Sequence, residues 1–228
     1  MHWFYEPQFN DLKALSPETK KHLISLRIDA DEPIVITDGN GSTWQVLTSS
    51  GEITSVGPQE QIQPNGPRFT LVQALAKADR DELALQAAVE LGATRIVPWQ
   101  AQRSIVRWDQ KAEKNRLRWQ AIAIESMKQS QRPFLPVVAE IVSTKQLVAD
   151  GVGIVLDPRA ELSLTDLPKA DHYSVVVGPE GGISEQELEL LANNGFKSVR
   201  LGRGVLRASN AGPAAIAALQ LLHGEFRS

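Results

Sequence analysis

The chain has 228 residues, 42% of them hydrophobic, a formal net charge of −3 and no cysteine. Disulfides, thiolate zinc sites and a cysteine nucleophile are thereby excluded, and the charge argues against a surface that grips nucleic acid over its whole extent. The length suits one large domain or two small ones. The four histidines (His2, His22, His172, His223) form no H-x-x-x-H pair, so no metal site is expected. The opening "MHWFYEPQFN" lacks a basic and then apolar leader, and no uninterrupted apolar run reaches about 18 residues. A soluble, cytoplasmic protein without membrane contact is the expectation.

Residues 1 to about 60 read as a small β-rich unit. "PIVITDGNGSTWQVLTSSGEITSV" alternates β-branched runs with the turn signals Asp38-Gly39, Asn40-Gly41 and Ser50-Gly51. One helix interrupts it, "PETKKHLISL", opened by Ser16 as N-cap and Pro17 at the first helical position. "PQEQIQPNGPR" (58–68) reads as a linker. Strands and helices then alternate. Strands are expected at 69–75, 94–99, 137–142, 153–158, 173–179 and 197–202. Helices are expected at 80–92, from about Asp109 to Gln131, near 144–149, from Ser184, and across "GPAAIAALQLLHGEF". Such alternation implies an α/β fold with a mostly parallel sheet covered on both faces.

Charge is unevenly placed. Residues 101–136 hold eight bases and three acids, whereas residues 1–60 hold four bases and nine acids. A polyanion should meet the middle of the chain more readily than its start.

In such sheets ligands bind beyond the carboxyl ends of the strands. Three late strands end in distinctive loops: Leu156-Asp157-Pro158, Gly178-Pro179-Glu180-Gly181-Gly182, and Leu201-Gly202-Arg203-Gly204. The middle loop fits neither G-x-G-x-x-G nor G-x-x-x-x-G-K-[ST], and Glu180 would repel a pyrophosphate. A neutral or positive ligand fits better, such as the sulfonium of S-adenosylmethionine. The same stretch also reads as a tight turn followed by a capping box at Ser184 and Glu187.

"VGPEGGIS" after a strand, then "LGRGVLRASNAGPAAIAALQ", resembles the RsmE family of 16S ribosomal RNA uridine-N3 methyltransferases, of the SPOUT class. "ELGATRIVPWQAQRS" and "ESMKQSQRPFLP" are similar to that family's two middle motifs, in order and spacing. The resemblance implies a PUA-like β-barrel over 1–65 and, over 66–228, a methyltransferase domain whose C-terminal chain forms a deep trefoil knot. It implies S-adenosylmethionine as cofactor, a homodimer, and 16S ribosomal RNA or the small ribosomal subunit as partner. It places donor contacts at Leu156, Asp157 and Pro158, at Gly178, Pro179, Glu180, Gly181 and Gly182, and at Leu201, Gly202, Val205 and Leu206. Some residues depart from the family pattern. Leu-Gly-Arg-Gly stands at 201–204 for the usual Leu-Gly-Pro-Arg, and Ala208-Ser209-Asn210 replaces Thr-Glu-Thr. Lys128 replaces a usual Glu, Gln131 a usual Gly, and Trp3 a usual Arg. No carboxylate at 209 is available for catalysis.

Uridine N3 is mostly protonated at neutral pH, so its methylation needs proton removal, stabilisation of negative charge on the flanking carbonyls, and a base freed from pairing. Arg207, beside the donor loops, and Arg132, at the end of the basic helix, are the candidates for charge stabilisation, and Glu125 for the base. Glu125, Gln129 and Arg132 fall at i, i+4 and i+7, along one expected helix face. An exposed salt-bridged stripe accounts for the same spacing. Arg103, Lys128, Gln129 and Arg132 are the candidate RNA contacts. Trp108 and Trp119 flank basic residues and suit either base stacking or core packing. His22 and His172 read as surface or helix-end residues. Two other functions fit the residues: a methyltransferase acting on another RNA, such as a tRNA ribose or base, and a non-catalytic RNA-binding module that keeps the fold.

Overall fold

A computed structural model of the protein describes residues 1–28, 31–77 and 79–224. The chain divides into two compact units, one of Met1–Pro64 with Met127–Leu135, the other of Asn65–Ser126 with Pro136–Ser228.

The first unit carries a four-stranded sheet in the order β1 (Trp3–Tyr5), β2 (Ile34–Thr37), β3 (Ser42–Ser49), β4 (Glu52–Gln61). β1 runs parallel to β2; the other pairs are antiparallel. Ser50 and Gly51 both adopt the left-handed region (φ 53° and 80°), the conformation a two-residue hairpin needs between right-twisted strands. Two helices precede β2: α1 (Phe9–Leu12) and α2 (Pro17–Leu26). Ser16 caps α2 by accepting from the Thr19 N–H at 3.2 Å. Phe4, Phe9, Ile34, Ile36 and Trp44 form the core. The sequence signalled neither β1, three residues long, nor the single turn of α1. The expected linker begins later than 58, because β4 continues to Gln61. Met127–Leu135, expected in the second domain, packs with the first unit: Gly41 N–H donates to Pro133 O at 3.0 Å and Leu135 N–H to Gly39 O at 2.8 Å.

The second unit is built on six parallel strands: β5 (Arg68–Ala74), β6 (Ala93–Trp99), β7 (Val137–Val138), β8 (Val152–Leu156), β9 (His172–Val177) and β10 (Phe196–Val199). Their spatial order is β10-β8-β9-β5-β6-β7, and every pair is parallel. β9, "HYSVVV", is buried at all six positions, as a strand covered on both faces must be. Helices α3 (Arg80–Glu90), α5 (Glu185–Asn193) and α6 (Ala208–His223) pack on this sheet, with α6 against α3, β5 and β9. Helix α4 (Ala112–Gln129) follows a short 3-10 turn at Asp109–Lys111. The expected strand at 137–142 shrinks to two residues, and the helix near 144–149 is a 3-10 turn at Thr144–Gln146. Helix α6 begins four residues before the expected Gly212 and carries Pro213 inside it; the expected extension over 225–226 lies outside the described residues. Among the described residues no helix is long and apolar enough to cross a membrane, and no group of three His, Cys, Asp or Glu could hold a metal.

Candidate functional site

β10, β8 and β9 are neighbours in the sheet, so the loops at their carboxyl ends meet at one edge. They enclose a cavity of about 540 Å³ within the second unit. That volume lies in the range of small-molecule sites, roughly 300–1,000 Å³. Of the positions expected to meet the donor, all but Gly181 line it: Leu156, Asp157 and Pro158; Gly178, Pro179, Glu180 and Gly182; and Leu201, Gly202, Val205 and Leu206. Arg103 and Arg207 line it too, as do Arg80 and Arg159, which sequence reading did not single out.

Both acids of the cavity are engaged within the protein. Asp157 Oδ1 accepts from the Arg159 backbone N–H at 2.9 Å and from Nε at 3.1 Å, and Oδ2 from Nη2 at 3.0 Å. The Arg159 guanidinium holds the Asp157 carboxyl below the usual carboxylate range; Arg159 is raised in turn by Asp157 and then Glu185. Glu180 Oε1 accepts from Arg80 Nη1 at 3.2 Å and from the Lys77 N–H at 3.3 Å. Arg207 is different. Its side chain is exposed and has no hydrogen bond or ion pair among the described residues. Its backbone caps α6, the carbonyl accepting from Asn210 N–H and Ala211 N–H at 2.9 and 3.0 Å. A cation at the positive end of a helix, with no acid in the first turn, opposes the helix dipole.

The glycine-rich loop has a fixed shape. Gly182 N–H donates to Pro179 O at 2.9 Å, closing a turn whose centre is Glu180 and Gly181, and Gly182 itself has φ +73°. Gly181 does not line the cavity, and its carbonyl accepts from Arg103 Nη1 at 3.2 Å. At Gly178 a Cβ would lie 2.6 Å from Ile183 Cγ1, so only glycine lets the chain and Ile183 pack this closely. Downstream, Ser184 and Glu187 form the expected capping box of α5. The Glu187 carboxylate is buried and does more than cap: Oε1 accepts from Gln102 N–H at 2.8 Å and from Thr144 Oγ1 at 2.7 Å, while Trp99 Nε1 donates to that threonine at 3.1 Å. One buried carboxylate thus ties the loop's far end to the ends of two other segments.

The remaining candidates lie on α4 and just beyond it, and none lines the cavity. Glu125 and Gln129 are exposed, Lys128 and Arg132 half-buried. Arg132 does not continue the helix face of Glu125 and Gln129. Helix α4 ends at Gln129, Gln131 is left-handed at φ 57°, and the N–H groups of Gln131 and Arg132 return to Lys128 O and Met127 O at 3.2 and 3.0 Å. That pairing is the Schellman closure, and Gln131 occupies the position glycine usually takes in it. Trp108 and Trp119 are buried and packed edge-on with ring centroids 5.0 Å apart, so neither is available to stack on a base. His172 is not at the surface: it is buried at the start of β9, with Nε2 2.9 Å from Thr70 Oγ1.

The cavity suits a small ligand with a substantial apolar part, and its four arginines against two acids give its lining a positive balance. Its walls are apolar (Leu156, Pro158, Val177, Ile183, Leu201, Val205), its turn lacks the lysine of a phosphate loop, and a Cβ at Gly202 or Gly204 would meet no atom within 4 Å.

Comparison with known proteins agrees with this chemistry. A family of RNA methyltransferase domains matches residues 63–220. The ribosomal RNA small subunit methyltransferase E of Mycobacterium tuberculosis is 36% identical over 211 residues, which cover 86% of this chain and 80% of that protein. The crystal structure of the ribosomal RNA small subunit methyltransferase E of Neisseria gonorrhoeae, bound to S-adenosylmethionine, aligns with a TM-score of 0.86 and 30% identity, over 97% of this chain and 98% of that one. A methyltransferase from Legionella pneumophila in complex with the same cofactor gives a TM-score of 0.81 at 27% identity, over 91% and 90% of the two chains.

Proposed function

We propose that this chain, which belongs to the ribosomal RNA small subunit methyltransferase E (RsmE) family of RNA methyltransferases, places its methyl group on N3 of one uridine in 16S ribosomal RNA. The protein is an S-adenosylmethionine-dependent methyltransferase of ribosomal RNA; the uridine N3 atom is our reading. The observation that carries it is the juxtaposition of an apolar cavity of donor size with a cation, Arg207, whose side chain makes no hydrogen bond or ion pair among the described residues.

S-adenosylmethionine, when bound, supplies the electrophilic methyl group. The protein's own work is then to orient the donor, exclude water and stabilise charge on the base. The loops after β8, β9 and β10 form the donor walls, with Leu156, Pro158, Val205 and Leu206 as apolar surface and Gly178, Gly182 and Gly202 as points where backbone approaches the ligand. Deprotonated uracil spreads negative charge over O2, N3 and O4. Arg207 presents a planar fork of donors that stays charged at any working pH, and it stands at the positive end of α6. Both features favour an anion, and neither is cancelled by a carboxylate. Glu125 as proton acceptor and Arg132 as a second cation remain proposals based on residue type alone.

The finer architecture belongs to the same reading. The parallel order β10-β8-β9-β5-β6-β7 followed by α6 is compatible with a C-terminal trefoil knot, and the four-stranded first unit with a PUA-like RNA-binding domain. We assign RNA contacts to Arg103 in the second unit and to Lys128, Gln129 and Arg132 in the first, place the protein in the cytoplasm, and take the working species to be a homodimer. Mass mapping of small-subunit RNA from cells lacking the protein tests the assignment: one N3-methyluridine should disappear and return on complementation. Loss of a ribose methyl, or no change in any uridine, refutes it. RNA binding should weaken steeply with salt, and neutralising Arg103, Lys128 and Arg132 should flatten that dependence.

A further inference from the structure

A carboxylate at the centre of a donor loop invites the idea that it faces the sulfonium charge. The geometry points elsewhere: we propose that Glu180 is a latch that, with Arg80 and Arg103, holds the Pro179–Gly182 turn in its ligand-receiving shape. This rests on reading the cavity as the methyl-donor site.

The turn has two central residues, and each is held from outside by a different segment. Glu180 Oε1 is engaged by Arg80 Nη1 at 3.2 Å and by the Lys77 N–H at 3.3 Å, from the first residue of α3 and the loop before it. The Gly181 carbonyl is engaged by Arg103 Nη1 at 3.2 Å, from the segment after β6. The backbone of Arg103 also backs the turn, its carbonyl lying 3.3 Å from where a Gly181 Cβ would stand. A glycine-rich turn has many conformations to lose on binding, and outside tethers at both central residues remove that cost in advance. With its Oε1 committed to a guanidinium and a backbone N–H, Glu180 has little field left to offer a positive ligand. Arg80 and Arg103 line the cavity as well, and their bonds to the turn give them a positioning role in addition. The Glu180 and Arg80 side chains keep 28% and 38% of their exposure, so the pair is solvent-screened and its effect is moderate.

Calorimetry with S-adenosylmethionine and its uncharged product S-adenosylhomocysteine decides the point. Arg80→Ala and Glu180→Gln should each weaken both ligands by the same factor, about fivefold for a screened pair. The double variant should be no weaker than the weaker single, and Arg80→Lys, which keeps the charge, should recover most of the affinity. The melting temperature of the ligand-free variants should stay near that of the parent, which separates a tethered turn from a damaged fold. Additive losses in the double variant would overturn the latch. So would a Glu180→Gln variant that loses S-adenosylmethionine but keeps the product, because the carboxylate would then act on the sulfonium itself. A parent protein that binds neither ligand refutes the donor reading, and the latch with it.

Discussion

The loops after β9 and β10 line the same cavity and are held in opposite ways. The first, Gly178–Gly182, is closed by its own turn, tethered at both central residues by arginines, and anchored at its far end through the buried Glu187. The second, Leu201–Arg207, leaves Val205 78% exposed and Leu206 44% exposed, and Arg207 makes no side-chain bond among the described residues. Asp157, on the third loop, sides with the first, bound by Arg159 and held at its backbone by Val199 O at 3.1 Å. A site that must bind a small donor and also meet a macromolecule has reason to be built so. In the proposed reading the pre-shaped walls fix the donor and the free wall adjusts to the base.

The largest expected effect is on the free loop. Arg207→Ala should lower kcat by about 10²–10³, the usual loss for one transition-state donor, with far less change in donor affinity. Single-turnover rate and donor Kd measured on one variant check this; a loss of affinity and stability at normal rate would mean that Arg207 only shapes the loop. On the pinned side, Glu187→Ala should cost about 2–3 kcal/mol of stability, because Gln102 N–H and Thr144 Oγ1 lose a charged acceptor in the interior. Chemical denaturation measures it. A smaller contrast compares the two loops directly. Gly182→Ala must place a side chain at φ +73° and should cost about 1–2 kcal/mol. Gly204→Ala, where a Cβ meets nothing within 4 Å, should change stability by less than about 0.5 kcal/mol. Equal costs would break the comparison. The smallest effect lies at the other end of β9. Burial is the main cause that lowers the His172 pKa below its ordinary 6.5, Arg68 and Arg95 add to it, and the Asp150 carboxylate opposes it. The neutral form is thus the one the fold prefers. Its contribution is complete above pH 6.5 and is lost as the pH falls toward the lower folded value. The melting temperature should therefore drop modestly between pH 7 and pH 5, and His172→Gln should flatten that drop without altering donor affinity.

Much of this arrangement is legible in the chain, and the omissions have physical causes. Strand runs such as "YSVVV" and the loops that end them are local signals, so the three loops and their strand-to-helix setting could be read directly. What local signals do not carry is which strands lie side by side. The sheet neighbours of β9 are β5 and β8, and only that order brings Arg80, far upstream, against Glu180. Arg159 stands two residues from Asp157, and that nearness in the chain is the one local signal of their pairing. At the end of α4 the helical period placed Arg132 on a face with Glu125, but Gln131 takes the left-handed conformation and turns the chain first. Because glutamine does so rarely, residue type gave no warning there. His172 looked superficial because a lone histidine carries no burial signal, whereas its place in a fully covered strand decides the matter.

The central pairing of the sheet also sets a timetable for synthesis. Strand β5 pairs on one side with β6, close by in the chain, and on the other with β9, where Arg68 meets His172. At a synthesis rate of about 5–20 residues per second, the second partner leaves the ribosome on the order of ten seconds after the first strand. Throughout that interval β5 has β6 and α3 available but no partner for its other edge, whose N–H and C=O groups stay unpaired. Such an edge is where a nascent chain pairs wrongly or aggregates, and long-range parallel pairing is slow to form. The cavity is completed later still, since its last wall follows β10. No donor molecule can therefore find a finished cavity on the half-made chain.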